Sequence, residues 1–181
     1  EGIACERVFA PASDMESLMK ENEVPLFTLE TKTPVKDVDM LGFTLQYEMS
    51  FSTILNMLDL AQIPLLAKDR GEEYPIVAAG GPCAFNPLPL SDFIDVFCIG
   101  DGEEMMVEVC EVLEQTKGKP RKERIAELCK IEGCWSRSSI PSLDGEGKGG
   151  VTLFTPVNKR LSPLTNEYAS TSYPIPFSSS V

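Results

Sequence analysis

Two short apolar runs in this sequence each end in a glycine-bearing turn. Ile76-Val77 leads into Ala78-Ala79-Gly80-Gly81-Pro82-Cys83, and Val96-Phe97-Cys98-Ile99 leads into Gly100-Asp101-Gly102-Glu103-Glu104. Runs this short and apolar read as strands, and the second turn opens straight into a helical stretch. Strands alternating with helices build an open, mainly parallel sheet that gathers its functional loops at the carboxyl ends of its strands. The expected class is α/β and Rossmann-like, with both turns on one edge of the sheet.

The rest of the chain fits that plan. Glu6 to Ala10 reads as a strand ended by Pro11, because the residue before proline is held extended. Ser13 or Asp14 can cap a helix to about Lys20, since a side-chain oxygen satisfies a free amide of the first turn. Pro25 to Glu30 reads as extended, and Asp39 to Tyr47 as a buried strand followed by a cap at Ser50 or Ser52. From Ser52, Ile54, Leu55, Leu58 and Ala61 recur at helical spacing until Pro64. Glu103 to Gln115 carries one apolar stripe opposite its acids, and Arg121 to Lys130 forms a charged amphipathic helix. The length of 181 residues suits one domain with a tail. The expected layout is an α/β domain over 1–132, a strand and loop extension over 133–160, and a Ser/Pro-rich linker over 161–181. Within the extension, 145–150 is a glycine-rich hairpin or loop and Val151 to Phe154 a strand.

Charge and composition exclude whole classes of function. The net charge of -12, with no basic run longer than Lys119-Pro120-Arg121-Lys122, repels a phosphate backbone, so no nucleic-acid partner is expected. The apolar runs are too short to span a bilayer and the start shows no signal-peptide pattern, so the expected setting is cytoplasmic, away from membranes. Histidine is absent, which removes every mechanism that needs an imidazole base or ligand from this chain. The cysteines at 5, 83, 98, 110, 129 and 134 include one close pair, Cys129 and Cys134, and read as reduced core or surface thiols, with Cys98 on a strand and Cys110 on a helix as small apolar fillers. A first residue Glu1 and a closing Ser-Ser-Ser-Val suggest a piece of a longer protein.

The candidate site lies at the strand ends. Gly80 and Gly81, with Pro82 and Cys83, mark either a plain tight turn or a place where the backbone admits a ligand. Asp101 can cap the helix that Glu103 and Glu104 enter, where acids meet the positive end of the helix dipole. Those acids, and Met105 in place of the third small residue of a GxGxxG fingerprint, argue against a dinucleotide site and a stand-alone nucleotide-binding enzyme. Thr44, Gln46 and Tyr47, with Glu48 and Ser50, form a polar cluster at the end of the preceding strand, fit to hold a ligand or to cap the next helix.

Taken together, Glu-Arg-Val-Phe-Ala-Pro, Leu-Gly-Phe-Thr-Leu-Gln-Tyr-Glu-Met-Ser, Asn-Met-Leu-Asp-Leu-Ala, Ala-Gly-Gly-Pro-Cys-Ala-Phe-Asn-Pro and Ile-Gly-Asp-Gly-Glu-Glu resemble the amino-terminal region of a family of radical S-adenosylmethionine (SAM) proteins. In that family a cobalamin-binding-like α/β domain precedes a radical SAM barrel. The resemblance runs from about Cys5 to Cys129 and more weakly to Pro176. It implies a flavodoxin-type strand order, 2-1-3-4-5, and a cofactor edge formed by Leu45, Gln46, Tyr47, Gly80, Gly81, Pro82, Cys83, Gly100, Asp101, Gly102 and Glu103. The axial-ligand motif Asp-x-His-x-x-Gly is missing, so cobalamin would be held without a histidine from this chain or not at all.

No cysteine set has the Cys-x-x-x-Cys-x-x-Cys spacing of the cluster-binding triad. The resemblance therefore puts SAM, the 4Fe-4S cluster and catalysis in a barrel after Val181, the domain's partner within the parent protein. Two roles follow: an accessory domain that presents a cofactor or shapes the barrel's site, or a degenerate interaction module whose crevice is filled and apolar. The family also has an upstream strand and helix not found here, so the chain alone is expected to be poorly soluble or to dimerise.

Overall fold

A computed structural model describes residues 2–139. The 145–150 glycine stretch, the strand expected at Val151 to Phe154 and the 161–181 segment lie outside the described residues. The described elements in order are α1 (Ser13–Glu21), β1 (Met40–Thr44), α2 (Phe51–Leu60), β2 (Ile76–Gly80), β3 (Val96–Cys98), α3 (Gly102–Gln115), α4 (Arg121–Leu128) and β4 (Cys134–Trp135).

The strands form one open sheet in the order β1-β2-β3-β4, the first three parallel and β4 antiparallel to β3. Among the described residues the strands therefore follow chain order across the sheet, without the reversal that a 2-1-3-4-5 order contains. Side chains alternate between two faces, as strand geometry requires. Leu41, Val77, Ala79, Phe97 and Trp135 join Met19 of α1 and Ile54, Met57 and Leu58 of α2 in one core. Ile76, Val96 and Cys134, with Met40 and Cys98 at the margin, join Met105, Val109 and Leu113 of α3 and Ile125 and Leu128 of α4 in the other. β2 is buried on both faces, and its apolar run reads without alternation for that reason. Phe97 and Trp135 meet with ring centroids 5.7 Å apart, tilted by 53°, which fixes the short β4 to its neighbour.

Several local expectations are corrected. Glu6 to Ala10 is not a strand. It is held by a backbone bond, Leu29 N–H to Arg7 O at 2.8 Å, by the Glu6 carboxylate, which accepts from Thr31, and by Val8 against the core. The Arg7 N–H is taken by the Glu30 carboxylate at 2.7 Å instead of a neighbouring strand. Ala12 holds the cap position of α1, so Ser13 and Asp14 already lie inside the helix. Ser50 precedes α2 with helical backbone (φ -75°, ψ -11°), the continuation of a 3-10 turn at Glu48–Ser50. Its hydroxyl donates back to Tyr47 O at 2.7 Å and caps nothing.

The amino-terminal rim of the sheet is closed by a polar knot. Asp95 Oδ2 accepts from Arg121 Nη2 at 2.6 Å, Val77 N at 2.8 Å and Arg70 Nη1 at 3.0 Å. Arg70 also donates to the carbonyls of Pro64, Leu65 and Phe93, and Arg121 to those of Tyr74 and Pro75. Burial pushes the Arg70 guanidinium below its ordinary pKa, against the opposing pull of Asp95. Residues of the α2–β2 and β2–β3 connections and the start of α4 are thereby pinned at the end of the sheet farthest from the glycine turns.

Candidate functional site

The strand register places every sequence-predicted site residue on one rim. Thr44 pairs with Gly80 and Gly80 with Cys98, so the chain leaves β1, β2 and β3 at the same level. Gln46 and Tyr47 follow β1, Gly81, Pro82 and Cys83 follow β2, and Gly100, Asp101, Gly102 and Glu103 follow β3. The carboxyl edge of a parallel sheet is the place where such folds hold ligands or partners.

At this rim the first two loops are bonded to each other. Leu45 N–H donates to Gly80 O at 2.7 Å, and Cys83 N–H donates to Leu45 O at 3.0 Å. Gly81 has φ +99°, and a Cβ there would sit 3.0 Å from Leu45 O and 3.1 Å from Leu45 N. Glycine at 81 thus permits a left-handed turn and a close loop-to-loop approach at once. A 3-10 turn over Pro82–Phe85 follows, with Ala84 buried beneath it. Gln46 is exposed and donates through Nε2 to Thr44 Oγ1 at 2.8 Å. The Cys83 thiol is pushed up, first by desolvation and then by the negative charge of Glu48.

The third loop is positioned by β4 and by a second left-handed glycine. Ile99 N–H donates to Gly133 O at 2.8 Å, and Gly100 then turns at φ +127°. Asp101 occupies the cap position of α3 with extended backbone and no side-chain cap bond, while Glu103 and Glu104 lie in the first turn. The acids favour the helix start and repel a phosphate there.

Sequence reasoning missed the apolar character of this rim. Tyr47 is 59% exposed, Met49 83%, Phe85 55% and Leu88 46%, all on the two bonded loops. It also missed the Asp95 knot, although a lone acid in the run Phe93-Ile94-Asp95-Val96-Phe97 signals a buried partner. Among the described residues no group of three or more His, Cys, Asp or Glu side chains is placed to hold a metal, and no helix is long and apolar enough to cross a membrane.

An open, mostly parallel α/β sheet with its loops gathered on one apolar, acid-edged rim is Rossmann-like. The family described as radical SAM proteins, N-terminal, matches residues 1–136, and the chain belongs to it. An uncharacterized protein of Methanocaldococcus jannaschii is 31% identical over 113 residues, which cover 60% of this chain and 23% of that protein. The chain thus matches about a quarter of the length of that relative. No solved structure matches the chain.

Proposed function

We propose that this is the accessory amino-terminal domain of a radical SAM iron–sulfur enzyme, and that its carboxyl rim packs against the catalytic barrel and shapes the barrel's active site. In this reading the barrel holds SAM and a 4Fe-4S cluster, whose thiolate ligands this chain does not supply. The observation that carries it is the exposed set Tyr47, Met49, Phe85 and Leu88 on loops locked by backbone bonds. Preorganised apolar side chains of this kind suit a partner surface, since little ordering cost is left for binding. The reading places the domain in the cytoplasm, where reduced thiols are the resting state.

Cobalamin, the cofactor that the resemblance implies, fits this rim poorly. There is no histidine to ligate cobalt. The space beside Gly81 is taken by Leu45, and the acidic start of α3 repels the phosphodiester of the nucleotide tail. One pair of measurements separates the readings. The domain and the separately expressed remainder of the parent chain are expected to bind each other, with Tyr47→Glu plus Phe85→Glu weakening binding at least tenfold, and hydroxocobalamin titration is expected to leave the visible spectrum unchanged. Unaltered binding by the double variant removes the packing role. A shifted cobalamin spectrum with retained colour restores the cofactor-presenting one.

A further inference from the structure

β3 and β4 bring two cysteines face to face that are far apart in the sequence. Cys98 pairs with Cys134 in antiparallel register. The neighbouring Ile99 N–H bonds Gly133 O, and the Cys134 N–H turns away to Ile131 O at 3.0 Å. The pair therefore occupies a non-hydrogen-bonded position of the ladder, where Cα atoms lie about 4.5 Å apart and side chains are closest. That separation falls inside the range of about 4.4–6.8 Å that a disulfide bridges. Both cysteines are reduced in this structure, Cys98 half-buried and Cys134 buried.

We propose that Cys98 and Cys134 form a redox-modification site, at which a hydroperoxide converts the two thiols into a cross-strand disulfide. The Cys98 sulfur attacks the peroxide oxygen and becomes a sulfenic acid as the first water leaves. The Cys134 sulfur then attacks the Cys98 sulfur, the S–S bond forms and the second water leaves. The thiols lose two electrons and two protons, and one hydrogen peroxide accepts them as two waters. The division of roles follows from the environment. Contact with Cys134 holds the Cys98 thiol below its ordinary pKa, whereas the same contact, burial, and the nearby Cys129 and Glu108 push the Cys134 thiol far up. Cys98, half-buried where Cys134 is buried, is the sulfur that a peroxide reaches, which makes it the first attacker. The bond would tie β4 to β3 directly beneath the loop at Gly100, and so stiffen one flank of the rim.

The test treats the full chain with a small excess of hydrogen peroxide, alkylates the remaining thiols and maps the peptides without reduction. The expected result is a link between Cys98 and Cys134 that dithiothreitol reverses, with a rise in Tm of about 5 °C. Cys129→Ser is expected to leave the link in place, and Cys134→Ser to leave a sulfenic acid at Cys98 that dimedone traps. A map showing Cys129 joined to Cys134, links only between chains, or both Cys98 and Cys134 alkylated after peroxide overturns the proposal. The map of the unsubstituted chain decides even where a variant fails to fold.

Discussion

Gly80 and Gly81 are neighbours that answer to different constraints. Gly81 has a left-handed backbone, and its missing Cβ leaves room for the Leu45 backbone. Gly80 ends a strand, and a Cβ there would meet Cys98 O at an ordinary 3.4 Å. Gly81→Ala is therefore expected to destabilise by about 1–3 kcal/mol, while Gly80→Ala shifts stability by less than about 1 kcal/mol. Equal urea midpoints for the two variants would show that the glycine pair is a simple turn and not a loop-to-loop clamp. At the opposite rim the residue that matters is Asp95, which holds two buried guanidinium groups. Asp95→Asn leaves both without their counter-charge and is expected to cost about 3–5 kcal/mol. The control is the exposed Asp92, 3.3 Å from Arg137, whose change to Asn should cost less than about 1 kcal/mol. Comparable losses in chemical denaturation at the two positions would contradict the burial argument.

At the scale of elements, the amino-terminal strap and α1 are held by carboxylates. The Glu30 carboxylate accepts from the Arg7 amide and guanidinium, and Glu16 of α1 accepts from Lys20 and from Asn56 of α2. These bonds hold both carboxyls below their ordinary pKa, the Arg7 amide being the largest influence on Glu30 and Lys20 on Glu16. A carboxyl lowered in the folded state adds stability above its unfolded pKa, and that stability disappears as pH falls through the folded value. Hydrogen exchange, corrected for intrinsic rate, should therefore rise in residues 2–21 before it rises in β2 as pH drops from about 6 to about 3. Glu30→Gln should loosen the strap at neutral pH. Simultaneous loss of protection in both regions would show that these ties do not act locally.

Element by element, legibility tracked how local the cause is. β2, β3 and α3 announced themselves because unbroken apolar runs and glycine punctuation are properties of the chain, whereas β1 was legible as a strand but is not the buried one expected, since only Leu41 of its five residues is buried. The caps of α1 and α2 did not, since they depend on the backbone that enters the helix. β4 was invisible because the two residues Cys134–Trp135 are a strand only through pairing with β3. At the rim, the glycines were legible from turn chemistry, and so was the place of Asp101 at the start of α3, although its side chain makes no cap bond. The roles of Met49, Phe85 and Leu88 were not, because an apolar side chain becomes exposed only when the fold leaves it uncovered.

For the whole molecule, the open question is the free side of the sheet. β1 pairs with β2 alone among the described residues, so one edge of a parallel strand, an arrangement that sheets of this kind normally cover, lacks a neighbour. Leu45 N–H points to β2, so by strand alternation the N–H groups of Gly42 and Thr44 point outward. Gly42 is exposed, and a Cβ there would meet nothing within 4 Å. An uncharged edge without a side chain to guard it invites pairing with a second copy, and the chain is expected to self-associate in a concentration-dependent way. Gly42→Lys places a charge on that edge with no internal clash and should shift the protein toward monomer while its urea midpoint stays close to the parent's. Light scattering coupled to size exclusion reads the outcome. A monodisperse monomer across the concentration range before any substitution would mean that β1's outer edge is already covered, and a dimer untouched by the lysine would place the contact elsewhere, with the exposed rim at Tyr47 and Phe85 the next surface to examine.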